Sequence, residues 1–261
     1  MSSLHVPGNR SDWMPNERLR ASLLEHGLTP PMLGDRLGVD HKTVERWIAG
    51  RMPYRKYRYA VAAQLGVDEG YLWPDALSRD QVTAASEGEI LAIYPHRTDV
   101  PHALWERLFS QAVRDIGILV YAGLFISENS ALKKIMAGKA SSGVRVRILL
   151  GDPASEQVAI RGADEGVDDA MAAKIRNALV QYRKLRTIEG AEFRFHQTIL
   201  YNSIYIGDDT LLVNTHLYGL SAPSAPVWHL KRLAGGEIAG TYLESFERVW
   251  ETGTPVPPPD S

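Results

Sequence analysis

The chain of 261 residues contains no cysteine, which excludes disulfides, thiolate-held metals and thiol nucleophiles, and suits a reducing compartment. It also lacks any apolar run near the roughly 18 residues that a membrane span needs, and residues 1–12 lack the apolar core of a secretory signal. A cytoplasmic protein without membrane contact is expected. Charge of one sign is scarce too: the net charge is −2, which does not suggest a uniformly basic nucleic-acid binder. The distribution is uneven, however. Residues 14–66 hold nine Lys or Arg (18, 20, 36, 42, 46, 51, 55, 56, 58) against five Asp or Glu (17, 25, 35, 40, 45). That stretch therefore carries +4 and the remainder −6. At 44% hydrophobic, the chain is long enough for two domains with cores of their own.

The basic stretch is organised around Leu37-Gly-Val-Asp-His-Lys-Thr-Val-Glu-Arg-Trp-Ile-Ala-Gly50. Asp40 stands where an N-cap belongs, able to accept the free N–H groups of a helix starting at His41. Val44, Trp47 and Ile48 fall at i, i+3 and i+4 and form one apolar stripe, leaving Lys42, Thr43 and Arg46 on a polar, basic face. Upstream, Asn16 to His26 reads as a helix with Leu19, Leu23 and Leu24 inward, and Thr29-Pro-Pro opens another. Downstream, Pro53 to Leu65 makes a further helix, followed by the short apolar Tyr71-Leu72-Trp73. Arg51, Arg55, Lys56 and Arg58 alternate with Tyr54, Tyr57 and Tyr59, a composition suited to phosphate contacts.

Residues 14–76 thus resemble the Xre/Cro family of repressor-like domains, on the strength of Leu37-Gly38-Val39, Thr43-Val44, Trp47-Ile48 and Gly50. The resemblance implies an all-α helix-turn-helix domain of five short helices. Its second helix-turn-helix helix would dock in the major groove of an operator. The residues implied in DNA binding are His41, Lys42, Thr43 and Arg46, with Arg51, Arg55 and Lys56 on phosphates.

Residues 1–13 read as an N-terminal arm and 77–100 as a connector. Within the connector, Ser78 to Glu89 shows no sustained periodicity, and Ile90 to Tyr94 is apolar enough to pack. The domain boundary is expected near Leu77. From Pro101 helices and apolar strands alternate. Val144 to Leu150 is the clearest strand, and two strands, Ser203 to Ile206 and Leu211 to Asn214, are joined by Gly207-Asp208-Asp209-Thr210 as a hairpin. A final helix over Glu237–Trp250 and a proline-rich tail, 253–261, expected to be disordered, complete the chain. The alternation predicts an α/β sheet covered by helices.

The order of these elements over 101–252, with the Gly143-Val-Arg-Val-Arg-Ile-Leu149 strand and the Asp-Asp hairpin, resembles one half-repeat of the phospholipase D superfamily, an α/β sandwich. Active members carry His-x-Lys-x4-Asp, with the histidine as nucleophile on phosphorus. Setting that aspartate on Asp208 puts Tyr201 at the histidine and Ser203 at the lysine. A frame starting at His196 restores the histidine but puts Thr198 at the lysine and Ser203 at the aspartate. Neither frame gives a working site, so the resemblance implies a catalytically silent domain and a chain that is not an enzyme. Half-repeats pair about a two-fold axis, which implies a homodimer, in keeping with a palindromic operator.

What such a domain would keep is a pocket at the strand ends. Its candidate residues are Tyr121, Asp152, His196, Tyr201, Asn202, Asn214, His216, Tyr218 and His229, and the ligand would be a small anionic or nucleotide-like molecule. No cofactor and no metal site are expected. Three functions stay open: a transcription regulator, a phosphodiesterase or nuclease of the phospholipase D superfamily delivered to DNA, and a DNA-bound adaptor without ligand.

Overall fold

A computed structural model of the protein describes residues 14–76 and 79–257. The expected N-terminal arm (1–13), the boundary at Leu77 and the last four tail residues (258–261) lie outside the described residues. The chain forms two compact units, 1–87 with 233–237, and 88–232 with 238–261.

Unit 1 is helical, and its helix ends are written locally. Asn16 caps α1 (Glu17–Glu25) by accepting from the Leu19 amide. Thr29 caps α2 (Pro30–Leu37), whose first-turn prolines have no N–H to leave unpaired. Gly38 ends α2 in the left-handed region at φ 65°, where a side chain would be strained. Asp40 accepts from the Lys42 amide at 2.8 Å and caps α3 (His41–Ile48). α4 (Arg55–Leu65) ends at Gly66, and Asp68 caps the single turn α5 (Glu69–Leu72). Leu19, Leu23, Leu33, Val44, Trp47, Val61, Leu65 and Leu72 form one buried core.

Two sequence expectations are corrected. Leu24 is 74% exposed, because the buried stripe of α1 runs Leu19, Ser22, Leu23 and residue 24 turns past it. Over the described part of Ser78 to Glu89 the chain is helical as α6 (Arg79–Glu89). Buried Glu89 accepts from the Ile238 amide at 2.8 Å.

Unit 2 is built on an eight-stranded mixed sheet, in the order β1-β7-β6-β5-β2-β3-β4-β8. The strands are β1 (Ile90–Tyr94), β2 (Asp115–Val120), β3 (Arg145–Gly151), β4 (Ala191–His196), β5 (Asn202–Gly207), β6 (Thr210–Thr215), β7 (Val227–Lys231) and β8 (Thr254–Pro255). β2, β3 and β4 are parallel and the other pairs antiparallel. The connector expected over 77–100 therefore contains an edge strand of the sheet, β1, paired with β7. The tail expected to be disordered places Thr254 and Pro255 beside β4, with Thr254 opposite Phe195.

Residues paired across strands share a face. Tyr205 pairs with Ile118 and Leu212, and Ile118 with Ile148, which pairs with Phe193. This face is covered by α7 (His102–Ser110), α8 (Leu124–Ser127), α9 (Ser130–Ser141), α10 (Glu156–Asp164) and α11 (Ala170–Gln181). Trp105 of α7 and Phe125 of α8 meet Tyr205 edge-on, and Tyr182 meets Phe193. The opposite face is covered by α12 (Ile238–Thr252). There the buried Arg147 donates to Asp115 (2.6 Å) and Glu247 (2.6 and 2.7 Å), with its guanidinium over the rings of Phe246 and Trp250. At Gly207 a Cβ would stand 2.0 Å from the Leu108 carbonyl oxygen, so only glycine lets β5 lie this close to α7.

Candidate functional site

The two groups of candidate residues stand in contrasting surroundings. In unit 1, the apolar side of α3 is sealed by Val44 and by Trp47, which packs on Tyr57 at 5.6 Å. His41, Lys42 and Arg46 are left exposed and Thr43 half-buried on the other side. Arg51, Arg55 and Lys56 are exposed as well. Arg55 donates to the Tyr59 hydroxyl at 3.3 Å and Lys56 lies over the Tyr57 ring, so each cation is steered by an aromatic neighbour. Arg58 is different: it is held by Glu69 at 2.6 Å and by the Pro53 carbonyl, and belongs to the packing.

In unit 2, the candidates gather at one end of the sheet. The C-terminal ends of β2, β3 and β4 lie beside the start of β5, because β5 runs antiparallel to β2, and beside the end of β6. Tyr121 follows β2, Asp152 follows β3, His196 ends β4 and His216 follows β6. The Tyr121 ring stacks on His216 (5.7 Å) and meets His196 (5.7 Å), and its hydroxyl accepts from the Leu200 amide at 3.0 Å.

His196 is fixed as a neutral ring. Its Nε2–H donates to the Val120 carbonyl at 3.0 Å, and its Nδ1 accepts from the Thr198 amide at 3.3 Å. Burial holds its pKa below the ordinary histidine value. Asp152 is spent locally, accepting from the Ala154 amide and from Gln197.

His216 holds the pair with most chemical content. A carbonyl can only accept, so its 3.1 Å contact with the Leu200 oxygen puts the proton on Nδ1 and leaves the Nε2 lone pair free. Ser203, 4% exposed, lies with its Oγ 2.9 Å from that Nε2 and donates to it. Tyr205 meets Ser203 in turn and is itself met by Arg97, whose guanidinium stacks over Phe125 at 4.1 Å. Burial first, and then the positive charges of Arg161 and Arg97, bring the His216 pKa down to about 4. Arg161 is buried on α10, paired with Glu165 at 2.6 Å and donating to the Leu220 carbonyl.

The remaining sequence candidates do not join this hydrogen-bonded cluster with their side chains. Tyr201 is 77% and Tyr218 87% exposed, and Asn202 is half-buried. Asn214 is fully buried and donates to the Ala225 and Pro226 carbonyls, a structural role. His229 stands two strands from Tyr205 in the same cross-strand row. Its pKa is lowered by burial and by Arg107. Sequence reasoning missed Arg97 and Tyr205 as site residues, and met Ser203 only as the place of a lost lysine in one frame and of a lost aspartate in the other. Asp208, by contrast, lies where the hairpin reading put it. It sits in the turn at φ 53° and accepts from the amides of Val113, Arg114 and Asp115 at 2.8 to 2.9 Å.

No family model matches the chain, and no curated protein does. Solved structures similar to it include Nuc, a phospholipase D family member from Salmonella typhimurium, at TM-score 0.39 and 15% identity, covering 63% of this chain and 97% of that one. TrmBL2, an archaeal chromatin protein with a novel mode of DNA binding, is similar at TM-score 0.42 and 15% identity, over 90% of this chain and 70% of that one. NucT from Helicobacter pylori is similar at TM-score 0.40 and 10% identity, over 63% and 98%. One expectation is corrected here. The reading of the chain as no enzyme, drawn from two lost motif positions, is withdrawn: those positions leave out the Ser203–His216 pair, whose Oγ and free Nε2 stand 2.9 Å apart, and a phospholipase D family member is among the similar structures.

Proposed function

We propose that the chain is a DNA-binding transcription regulator that contacts duplex DNA through α3. The observation that carries this reading is the two-sided character of that helix. Val44 and Trp47 are sealed in the core, while His41 and Lys42, at the end capped by Asp40, and Arg46, in the last turn, stand outward. A helix that offers the polar side chains of its first turns is suited to the major groove, with Arg51, Arg55 and Lys56 placed for phosphates. Binding as a homodimer to a palindromic operator, with unit 2 taking an anionic ligand, completes the reading. Recovery of bound genomic DNA at two salt concentrations tests it. Enriched sites with a regular half-site spacing and a steep loss with salt are expected, and a profile without enrichment at either salt would sink it.

A second reading, a phosphodiesterase or nuclease delivered to DNA by unit 1, is favoured by one observation, the Ser203 hydroxyl held on the free nitrogen of a neutral imidazole. Release of nitrophenol from bis(4-nitrophenyl) phosphate by the full chain is its direct measurement.

A further inference from the structure

We propose that Ser203 is a nucleophile and His216 its general base, acting on anionic phosphate diesters. The proposal rests on the second reading above and adds to it the atoms that react.

Three features of the cluster support it. The first is direction. The Leu200 carbonyl fixes the His216 proton on Nδ1, so Nε2 is an acceptor aimed at the Ser203 Oγ, 2.9 Å away. A hydroxyl is a weak nucleophile at its own pKa and needs such a base, itself oriented by a third group. The second is charge. Arg161 and Arg97 set positive charge about the imidazole, an environment that favours the approach of a phosphate anion. The third is burial. Ser203 is screened from bulk water, which keeps water from competing for the imidazole in the first step.

The chemistry closes with water as the only co-reactant. Ser203 Oγ attacks phosphorus while its proton passes to His216 Nε2, so one P–O bond forms. The bond to the leaving alkoxide breaks, and the proton on Nε2 leaves with it as an alcohol. Water then attacks the phosphoserine ester, gives its proton to Nε2, and the Oγ–P bond breaks with the proton returned to Ser203. A bound phosphate anion offsets the positive field of the two arginines, which makes the imidazole a stronger base when substrate is present than when the site is empty.

The full chain, its Ser203→Ala variant and its His216→Gln variant are assayed with bis(4-nitrophenyl) phosphate, and the wild type is treated with a fluorophosphonate and mapped by peptide mass. Expected are turnover that falls by about 100-fold or more in both variants and a phosphonyl adduct on Ser203 that forms far more slowly in His216→Gln. The pH profile of wild-type kcat/KM should keep its acid limb near 4, since the base of the free protein must be neutral. Turnover retained in a folded Ser203→Ala overturns the couple and leaves the phosphodiesterase reading standing. A wild type with neither turnover nor adduct overturns both. The adduct is read on the unaltered protein, so a variant that fails to fold does not decide the matter.

Discussion

In unit 1 the candidate residues point outward from a single helix and its neighbour, so they can be altered without disturbing what holds the fold. In unit 2 they converge from β2, β4, β5, β6, α10 and the turn at Arg97, and each is also a packing or hydrogen-bonding element. Function at the first site is separable from stability, and at the second the two are the same set of contacts. Substitution should therefore divide the molecule, with effects on affinity alone in unit 1 and on stability and chemistry together in unit 2.

The largest effect should come from Arg147→Leu, which strips a buried guanidinium from Asp115 and Glu247. Removing one partner of a buried ion pair costs about 3–5 kcal/mol. Glu247 is half-exposed, so the low end of that range is expected in a urea titration of the full chain. A loss below about 1 kcal/mol would mean that unit 2 tolerates change as unit 1 does.

Next comes acid. The pKa of folded His216 lies at about 4, below its ordinary 6.5, so between those values the unfolded chain binds a proton that the folded chain refuses. Stability is then full above about pH 6.5 and is lost as pH falls toward 4, by about 3 kcal/mol from this residue. Burial of His196 and His229 acts in the same direction. Melting temperatures across that range should fall less in His216→Gln than in the wild type, and parallel curves would remove His216 as the cause.

Lys42→Ala or Arg46→Ala should weaken operator binding by about 1–3 kcal/mol where a base contact is lost, and leave the melting temperature as it was. Arg55→Ala should weaken all sequences alike. A drop in melting temperature alongside affinity would break the comparison, since it would show that the exposed face also holds the fold.

The smallest effect is expected from Asp40→Ala, about 1 kcal/mol for a lost N-cap, read as a modest shift in the thermal transition of unit 1. Because the cap presents the first turn of α3, a disproportionate loss of DNA affinity would tie capping to recognition.

How much could be read in advance follows the same division. The caps at Thr29 and Asp40 and the apolar stripe of α3 are signals spaced within a turn or two, and all were legible, whereas Asn16, read as part of its helix, proves to be the cap. The hairpin was legible too, since Gly207-Asp208-Asp209-Thr210 separates two apolar runs. Leu24 was misplaced because one residue at the edge of a helical stripe turns by about 100° per position. The α6 helix was missed because its sequence carries little apolar periodicity. At the second site the convergence of Ser203, His216, Tyr205 and Arg97 depends on strand register and on loops that return across the sheet end. Spacing along the chain contains none of that. Motif frames miss this for a related reason: they ask which residue occupies a family position, whereas the partner of Ser203, His216, lies outside the frame.

Asp208 gives the hairpin a further consequence. Its carboxylate binds the three consecutive amides where the chain enters β2, and so clamps the turn of one ribbon to the start of the neighbouring strand. Side chains alternate along a strand, and a slip by one position would exchange everything above the sheet with everything below it. Ser203 would then trade places with an isoleucine. The clamp is a proofreading device of assembly: a side chain at the far end of β5 decides that a hydroxyl, and not a hydrocarbon, arrives beside the imidazole.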